Sequence, residues 1–426
     1  MKRILFLIFP ILFFSACEQY PTPGTHILKK FNFQVVGADQ SAEAGNYLPD
    51  SVGIIIDFES LVPAGERQFT METEVAEGGG TIDQTLVYSD KNGKMKTRWK
   101  VGDQSNEQIL KVKIYDTEGL FYTETEIQAA SFIPGQWNTI TKGYLTKIHD
   151  MVVDTLNNRT LMLAGCNLFE RKEKFHNWKK HPDESNPCLS HLEINSQGVL
   201  YAGKSNGTLY KSEDWGLHWE FLGKPIPDNN FTLRLNITPD DYIWVSRWEH
   251  GIHCSKDGGQ TWHKNLSGLA IDEEMNDVYM LSDGSHLSLS LNQLEILRTF
   301  DDGLNWSPVN TPIYSLSFYV TEKDEIIAFN QENGFSIYKS TDFGQNFKRV
   351  YSAETSYHTT PMTNIFKKHN DTYYFVAPGS GVYKTKDFEN FEKILSEYSV
   401  RHLHIDHTGT IYANGFMQEP VYILPN

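Results

Sequence analysis

The sequence predicts an all-β protein, and three observations support this fold class. Short alternating stretches such as "VLYAG" (199–203) and "TLYKS" (208–212) recur between Gly, Asn and Asp turns, as expected for half-buried strands. No apolar pattern of helical period extends over any length of the chain. Aromatic residues make up 13% of the 426 residues, which is ample for the packed cores of a strand-rich protein.

An eight-residue pattern, Ser/Thr-x-Asp-x-Gly-x-x-Trp/Phe, recurs through the second part of the chain. Four good copies begin at Ser212, Ser255, Thr299 and Ser340, and a worn copy begins at Thr385. The successive spacings are 43, 44, 41 and 45 residues. A period in the low forties with several short strands per unit is typical of the blades of a β-propeller.

This pattern resembles the Asp-box of the sialidase-like propellers, and the resemblance covers roughly residues 136–426. The Asp carboxylate can accept N–H groups of a turn, the Gly permits a positive φ, and the aromatic ring can pack between sheets. We therefore expect a structural role, and not a catalytic one, for the five aspartates of the pattern. These are Asp214, Asp257, Asp301, Asp342 and Asp387.

The repeats favour a propeller of seven blades at residues 132–426, closed by its N-terminal strand. The stretch "GQWNTI" (135–140) resembles a fourth strand without a blade of its own, and the chain ends at "VYIL" (421–424), one strand short of a blade. Pairing these two segments would remove two open sheet edges. Six blades are the alternative, if residues 401–415 pack elsewhere.

Residues 28–131 differ from the repeats that follow, and their short stretches of alternating apolar and polar residues predict a β-sandwich. The stretch at 90–116 contains Gly93, Trp99, Gly102 and an alternating strand at 109–114. In this order it resembles the bacterial Ig-like domains of invasin-type proteins. The resemblance implies a spacer or a packing partner that holds the propeller away from a membrane.

The first residues predict export and lipid attachment. Lys2 and Arg3 precede an apolar run at 4–14, which is too short to span a bilayer, and the run leads into "FSAC" (14–17). This ending resembles the lipobox of bacterial lipoproteins, which implies a signal peptide at 1–16, lipidation of Cys17 and a Pro-containing tether at 17–27. An ordinary signal peptide with an incidental cysteine is the alternative. We expect the protein in the outer membrane or at the cell surface.

Charge and motifs narrow the classes of partner. The net charge is −16, with 54 acidic and 38 basic side chains, so the phosphates of nucleic acid would be repelled. His-x-x-x-His and Cys-x-x-Cys spacings and a P-loop are all missing from the sequence. We expect a monomer without metal or cofactor that binds a glycan or an envelope protein.

The topology of an antiparallel blade places a ligand site opposite the repeated turns. Loops between second and third strands share that face with the connections between blades; among them we count 246–251 and 283–287. The loop "SRWEHG" (246–251) is the richest in side chains that bind ligands. The expected ligand contacts are Arg247, Trp248, Glu249, His250, Tyr357, His358 and Phe416. The alternative is that Trp248 packs between blades and Arg247 pairs with Glu249.

No residue is assigned a catalytic role. The arginine motif of the family's sialidases is missing, and only Arg234, Arg247 and Arg401 fall near the expected site face. Glycosidase chemistry needs two carboxylates across the channel, and the acids eligible by position are Glu249, Asp283, Glu332, Glu354 and Glu397. A glycoside hydrolase and a membrane-complex assembly factor therefore stay open as alternatives to a binding protein.

Three cysteines follow Cys17, and two of them fall on the expected site face. Cys166 ends the second strand of the first blade and Cys188 precedes the first strand of the next. We hypothesise a disulfide between them, which suits an oxidising envelope. Cys254 is expected to be a buried free thiol. The polar residues of "RHLHIDH" (401–407) are expected to face outward by strand alternation.

Overall fold

The computed structural model describes residues 32–38, 40–57, 68–104, 106–115, 121–140, 148–172, 178–181, 188–226, 234–247, 250–265, 275–311, 314–330, 334–353, 366–377, 379–397, 399–415 and 421–426. In these segments the backbone forms 38 β-strands and no helix. The described part of the chain therefore contains no helix that could cross a bilayer.

Ten strands form the N-terminal unit. They are β1 (Asn32–Val36), β2 (Gln40–Glu43), β3 (Val52–Asp57), β4 (Thr70–Glu77), β5 (Gly80–Ile82), β6 (Leu86–Tyr88), β7 (Lys94–Thr97), β8 (Trp99–Val101), β9 (Asn106–Tyr115) and β10 (Phe121–Phe132). A sheet of order β1-β3-β7 and a sheet of order β2-β10-β9-β4-β6 bury their facing side chains in one cluster, which includes Ile54, Met71, Met95, Trp99 and Leu110. The pair β5-β8 is a separate short ribbon.

The remaining strands form seven four-stranded antiparallel sheets within the described residues. The first strand of this region, β11 (Asn138–Ile140), is the edge strand of the sheet formed by the last strands of the chain, which we number sheet 7. Sheet 1 contains β12 (Ile148–Asp154), β13 (Arg159–Ala164), β14 (Asn167–Arg171) and β15 (Lys179–Lys180). Sheet 2 contains β16 (Leu189–Ile194), β17 (Leu200–Lys204), β18 (Leu209–Ser212) and β19 (Glu220–Gly223). Sheet 3 contains β20 (Arg234–Ile237), β21 (Ile243–Arg247), β22 (Gly251–Ser255) and β23 (His263–Asn265).

The later sheets repeat this plan. Sheet 4 contains β24 (Met275–Met280), β25 (His286–Ser290), β26 (Glu295–Thr299) and β27 (Ser307–Pro308). Sheet 5 contains β28 (Ser317–Val320), β29 (Ile326–Asn330), β30 (Phe335–Ser340) and β31 (Lys348–Ala353). Sheet 6 contains β32 (Phe366–His369), β33 (Thr372–Ala377), β34 (Gly381–Thr385) and β35 (Glu392–Leu395). Sheet 7 contains β36 (His402–Ile405), β37 (Ile411–Asn414) and β38 (Val421–Leu424), with β11 at its edge.

The first strands of the sheets lie side by side around a centre. Contacts join β12 to β16, β16 to β20, β20 to β24 and β24 to β28, and β36 contacts both β32 and β12. The last sheet therefore lies beside the first. Asn138 pairs with Ile423 and Ile140 with Val421, so the N-terminal strand of this region completes the C-terminal sheet. This arrangement is that of a β-propeller.

Apolar and aromatic side chains fill the spaces between neighbouring sheets. Between sheets 5 and 6, the rings of Phe335, Phe366 and Phe375 lie nearly parallel, with centroids 6.1 Å apart for both Phe335–Phe375 and Phe366–Phe375. Phe132, at the end of the N-terminal unit, is 1% exposed and packs with Val421 and Ile423 of sheet 7. The N-terminal unit is thus anchored to the propeller where the ring closes.

The stretch 401–407 differs from expectation, because its polar side chains are not all directed outward. His404 and Asp406 are buried. Asp406 forms an ion pair with Arg171 of sheet 1 and accepts a hydrogen bond from Tyr412 Oη at 3.1 Å. A strand whose two faces both contact neighbouring sheets has no outward face, so alternation alone could not predict this burial.

Candidate functional site

The two ends of the propeller differ in what their loops carry. One end carries the turns between first and second strands and those between third and fourth strands. The latter hold the repeated pattern, and we call them the box turns: residues 212–219, 255–262, 299–306, 340–347 and 385–391. The opposite end carries the loops between second and third strands and the connections from sheet to sheet.

Each box turn binds its own carboxylate. In the turn at 255–262, Ser255 Oγ donates to Asp257 Oδ1 at 2.8 Å and accepts Gly259 N–H at 2.8 Å, while Thr261 N–H donates to Asp257 Oδ1 at 2.9 Å. The same three bonds recur in the turns that begin at 212, 299 and 340. Gly259 has a φ of +89°, which a side chain would strain.

These bonds stabilise the charged form of the carboxylates. Hydrogen bonds from the side chain and backbone of Thr261 lower the pKa of Asp257 to about 2. Those from the backbone and side chain of Asn346 lower the pKa of Asp342 to about 2. The aromatic residue that ends each turn packs between sheets, as Trp306 does beside Trp244. The carboxylates of these box turns are therefore occupied by hydrogen bonds within their own turns.

A cavity lies at the centre of the ring, among the first strands of the sheets. Each first strand starts at the end opposite the box turns, and the lining residues lie along the strands, from Arg234 at the start of β20 to Glu193, one residue before the end of β16. The cavity has a volume of about 110 Å³. Its polar and charged lining comes from first strands of sheets 1, 2, 3, 4 and 6, and we call it the channel mouth: Asp150, His191, Glu193, Arg234, Asn236, Asn276, Asp277 and Lys367.

Irregular pairing directs some of these side chains. The register between first and second strands shifts between Ile148 and Asp150 in sheet 1, between Leu189 and His191 in sheet 2, and between Asn276 and Val278 in sheet 4. Asp277, the extra residue in sheet 4, has a φ of +36°. Such bulges occur often beside functional sites, because they redirect a side chain away from the regular pleat.

Part of the lining holds neighbouring first strands together. Asp150 accepts Met151 N–H at 2.8 Å and, from the next sheet, Leu192 N–H at 3.0 Å. One step further round the ring, Arg234 Nη1 donates to Asn276 Oδ1 at 3.0 Å. Asn236 accepts Val278 N–H at 3.0 Å in the same way. These residues combine a structural role with their place at the cavity.

Glu193 is the most perturbed acid of the channel mouth. Burial, together with the neighbouring Asp150 and Asp277 carboxylates, raises the pKa of Glu193 to about 8, against the opposing effects of Lys367 and a hydrogen bond with Asn236. Burial also raises the pKa of Asp277, although Arg234 and Lys367 oppose this shift. Glu193 is therefore mostly protonated at neutral pH, and a strongly perturbed acid in a cavity is a candidate for function.

Histidines near this end are held neutral. Burial lowers the pKa of His191, and Arg234 contributes to the same shift. Burial and the nearby Lys367 lower the pKa of His404 well below its usual value. Both ring nitrogens of His404 are buried without a hydrogen-bond partner among the described residues. The polar groups at this end are thus not fully satisfied within the described fold.

The expected ligand contacts fall mostly outside the described residues. Trp248, Glu249, Tyr357, His358 and Phe416 lie there, as does Cys17. His250 is half-buried in the turn after β21, at the channel-mouth end.

Arg247 differs from expectation. It is the last residue of β21, pairs with Gly251 and is 1% exposed, so its side chain is not open to a ligand. The strand continues two residues, Ser246 and Arg247, into the predicted loop, which places Arg247 inside the packed sheet.

One acid candidate lies at the wrong end. Residues 281–285 connect the first and second strands of sheet 4, so Asp283 lies at the box-turn end, where it pairs with Arg298. The prediction that 283–287 lies on the site face is therefore wrong. It assigned this segment to the connection between the second and third strands of sheet 4, whereas residues 281–285 connect the first and second strands. Glu397 accepts a hydrogen bond from Tyr422 Oη at 3.3 Å, and Glu249, Glu332 and Glu354 lie outside the described residues.

The cysteines follow the topology. A disulfide joins Cys166, in the turn between β13 and β14, to Cys188, which precedes β16. It links sheets 1 and 2 at the channel-mouth end. Cys254 is a buried free thiol in β22, and burial raises its pKa to about 12.

Sequence reasoning missed Glu193, Asp277 and Lys367, and placed Arg234 only near the site face. Glu193 stands between the apolar Leu192 and Ile194 in "HLEI" (191–194), whereas Lys367 lies in "FKKH" (366–369), a mostly polar stretch that gives no signal of its own. Among the described residues, no group of three or more His, Cys, Asp and Glu side chains has the arrangement of a metal site.

Comparisons with known proteins support the propeller. No protein-family model matches the chain, and no curated protein is similar to it in sequence. Among solved structures, virginiamycin B lyase from Staphylococcus aureus is similar with a TM-score of 0.51 and 12% identity, covering 68% of this chain and 97% of that one.

A second similar structure is the extracellular domain of a hybrid two-component system from B. thetaiotaomicron. Its TM-score is 0.51 and its identity 12%, over 68% of this chain and 39% of that one. At these identities the likeness shows the fold alone, and the fold is a β-propeller.

Proposed function

We propose that this chain is a lipid-anchored envelope protein that binds a glycan or protein ligand at the channel mouth. The observation that carries the proposal is the cavity at the centre of the ring, lined by Glu193, Arg234, Asp277 and Lys367. These four charged side chains are half-buried and come from four different sheets, and charged groups drawn partly out of water are costly unless they serve packing or binding. A concave site with a few convergent polar groups is the usual form of a ligand site.

We also infer the finer architecture of the chain: a seven-bladed Asp-box propeller at 132–426, preceded by an Ig-like sandwich at 28–131. The pairing of Asn138 with Ile423 supports closure by the N-terminal strand. The fully buried Trp99 and the two facing sheets support the Ig-like domain. A crystal structure with six blades, or with an unpaired β11, would contradict the proposed ring.

The wall of the site is proposed to include residues beyond the cavity. His250 lies in the turn between β21 and β22, whose Ser246 and Ile252 line the cavity. Trp248, Glu249, Tyr357, His358 and Phe416 come from loops that topology assigns to the end opposite the box turns. The rings of Trp248, Tyr357, His358 and Phe416 could stack on a sugar or a peptide, and Glu249 could accept hydrogen bonds.

A glycan array with the purified full-length protein tests the binding function. Lys367→Met removes a charge of the channel mouth, and Lys384→Met, in the same sheet, removes a surface charge that pairs with Glu392. We expect the unmodified protein and Lys384→Met to bind the same glycans, and Lys367→Met to lose at least tenfold in affinity. Equal binding by all three proteins would contradict a ligand site at the channel mouth.

The proposed anchor is tested separately. Cells that express the chain are given a labelled fatty acid, and membrane fractions are compared between the natural protein and Cys17→Ser. We expect label and membrane association only with Cys17, since a diacylglycerol on the cysteine is what retains the protein. Unlabelled natural protein in the soluble envelope fraction would contradict the lipoprotein.

Glycoside hydrolysis is the second candidate, and one observation favours it. Glu193 is mostly protonated at neutral pH beside the carboxyl groups of Asp150 and Asp277, and a protonated acid near a carboxylate is the arrangement of a proton donor in glycosidases. A panel of fluorogenic glycosides tests this candidate. Turnover that Glu193→Gln abolishes would support hydrolysis, and no turnover of any glycoside would leave the binding function alone.

A further inference from the structure

We propose that a basic stripe on the N-terminal unit docks on the anionic phospholipid headgroups of the membrane that holds the chain. The stripe consists of Lys91, Lys94, Lys96, Arg98 and Lys100. This inference goes beyond ligand binding by the propeller, and it rests on the lipid anchor proposed at Cys17.

The stripe is produced by the alternation of one extended stretch. Met95 and Trp99 are buried in the core of the unit, and the basic side chains are exposed. Side chains two positions apart in a strand lie about 7 Å apart on the same face, so the row from Lys94 to Lys100 is about 20 Å long. Residues 91–100 contain five basic side chains and no acidic one, in a chain whose net charge is −16.

Ion pairs do not neutralise this positive charge. Among the described residues, no side chain of the stripe forms an ion pair with a carboxylate. The nearby carboxylate of Asp90 accepts the N–H groups of Asn92 and Lys94 at 2.8 and 2.9 Å. That of Asp83 accepts the hydroxyl of Tyr47 at 2.7 Å. The stripe therefore keeps most of its charge for an external partner.

The lysines on the other sheet of the N-terminal unit are arranged differently. Strand β9 lies between β4 and β10, and its exposed face is in register with glutamates on both sides. Lys113 lies between Glu72 and Glu124, and Lys111 lies between Glu74 and Glu126. Opposite charges directly across neighbouring strands attract each other, so the charges of this sheet are balanced within the fold.

Protection of a sheet edge does not account for the stripe. Lysines on an edge strand can prevent pairing with another chain, and β7 is an edge strand. However, the other edge strands of the two sheets, β1, β2 and β6, contain no lysine. The stripe also continues beyond β7 into β8, which is paired with β5.

The chain enters the N-terminal unit beside the start of the stripe. Strand β1 begins at Asn32, which pairs with Asp57 of β3. Two residues before Asp57, Ile55 pairs with Lys94, the first residue of β7. The segment that leads from the proposed anchor therefore joins the same sheet as the stripe, at the end where the stripe begins.

The length and charge of that segment favour a bilayer as the partner. Residues 18–31 separate Cys17 from β1, and Lys29 and Lys30 directly precede the strand. Such a segment spans at most about 50 Å when fully extended, so an anchored chain keeps its stripe near the headgroups. Basic side chains within about 10 Å of anionic lipids are attracted to them at physiological ionic strength.

Docking of the stripe would give the propeller a fixed orientation. Phe132, at the end of the N-terminal unit, packs with Val421 and Ile423 of sheet 7. A unit that lies on the membrane along its stripe therefore also restricts the direction in which the propeller presents its ligand end.

Energy transfer between the protein and a bilayer tests the inference. The lipid-anchored protein carries a donor fluorophore at Asn92→Cys, an exposed position within the basic segment. Cys166 and Cys188 are joined to each other and Cys254 is buried, so the label is confined to position 92. The protein is reconstituted into vesicles with a headgroup-labelled acceptor lipid, made either of phosphatidylcholine or of an equal mixture of phosphatidylcholine and phosphatidylglycerol.

We expect energy transfer to be at least twofold higher in the vesicles that contain phosphatidylglycerol. High salt should remove the difference, because it screens charges at the surface. Lys94→Gln/Lys96→Gln should also remove it. Lys111→Gln/Lys113→Gln takes the same number of charges from the balanced sheet and should keep it. Melting temperatures verify that both variants are folded, and the salt dependence tests the same point with the stripe intact.

The outcomes separate this inference from the proposed anchor. Flotation with the vesicles measures anchoring, and protein that floats with neither kind would contradict the anchor and the inference together. Protein that floats with both but shows equal energy transfer, or equal behaviour of the two double variants, would overturn the inference alone. If the label instead loses rotational freedom with soluble alginate while energy transfer stays equal, the stripe binds an acidic polysaccharide and the inference is wrong.

Discussion

The pKa values of carboxyl groups in the box turns and of those in the channel mouth are shifted in opposite directions. At the box-turn end, Asp257 is exposed and Asp342 half-buried; both accept hydrogen bonds from their own turns, which lower their pKa values to about 2. At the channel mouth, Glu193 and Asp277 lie among residues from other sheets and have raised pKa values. The box-turn carboxylates are satisfied within their own turns, whereas the environment of Glu193 and Asp277 disfavours their charged forms, and we propose that these acids serve a ligand.

This difference separates scaffold from site without reference to sequence conservation. The box turns repeat the same bonds in sheet after sheet, so they stabilise any propeller of this kind. The channel mouth breaks the repeat, since each of its charged residues occurs in one sheet only. Function is therefore sought where the repeating pattern is interrupted.

Asp406 is an exception to this difference between the two ends, because it belongs to a turn at the box-turn end and its side chain is nevertheless buried. It accepts N–H groups of Thr408 and Thr410 in its own turn and also pairs with Arg171 of sheet 1. Asp406→Asn would leave Arg171 buried without its counterion, and we expect a loss of about 3–5 kcal/mol. Thermal unfolding measures this loss of stability, and Asp387→Asn, at an exposed aspartate of a box turn, is the control. A loss no larger than that of the control would contradict a stabilising ion pair between the last sheet and the first.

At the end opposite the box turns, a disulfide adds a covalent link between sheets 1 and 2. Cys166 and Cys188 close a segment with a sequence separation of 22 residues beside the channel mouth. By chain entropy, Cys166→Ser/Cys188→Ser should destabilise the protein by about 3 kcal/mol. Denaturant unfolding of the double variant tests this. Equal stability of the double variant and the oxidised protein would show that the bond adds nothing to the fold.

The raised pKa of Glu193 predicts a pH dependence of stability. The folded state holds a proton on Glu193 up to about pH 8, whereas the unfolded state loses it near pH 4.5. Stability therefore falls as pH rises through this window, by about 2 kcal/mol after allowance for solvent in the cavity. The burial of Glu193 and the neighbouring charges of Asp150, Asp277 and Lys367 determine this pH range.

Glu193→Gln removes this titration. Its stability should exceed that of the natural protein at pH 8.5 and match it near pH 4.5, while Glu397→Gln should follow the natural protein at both. Melting temperatures of the three proteins across this range provide the test. Parallel curves for Glu193→Gln and the natural protein would mean that Glu193 titrates normally.

The smallest effect is expected at a box turn. Asp257→Ala removes the acceptor of Gln260 and Thr261 N–H groups, which then face water at the exposed tip of the turn. By analogy with the loss of a helix cap, we expect about 1 kcal/mol. Ligand binding should be unchanged in this variant, and a loss of binding without a loss of stability would move the site to the box-turn end.

The sequence predicted the parts of the fold that repeat. Ser255, Asp257 and Gly259 recur at fixed spacing, so one turn predicts the others. Chain order around a ring also placed "GQWNTI" beside "VYIL", as Asn138 and Ile423 show.

The site was less predictable, because it depends on contacts between sheets. Glu193 and Lys367 are far apart in sequence and are joined only by closure of the ring. Arg247 was misplaced because β21 continues two residues into the predicted loop and buries this side chain, and Asp283 was assigned to the wrong connection of sheet 4.

The central claim is that the ligand engages the channel-mouth end and not the box turns. Photo-crosslinking in cells that express the chain tests it most directly, with a benzophenone amino acid at His250, at the channel-mouth end, or at Gln260, which is exposed in a box turn. The account predicts adducts with a glycan or protein from position 250 and none from position 260, and loss of the adducts on Lys367→Met. Adducts from position 260 alone would contradict it.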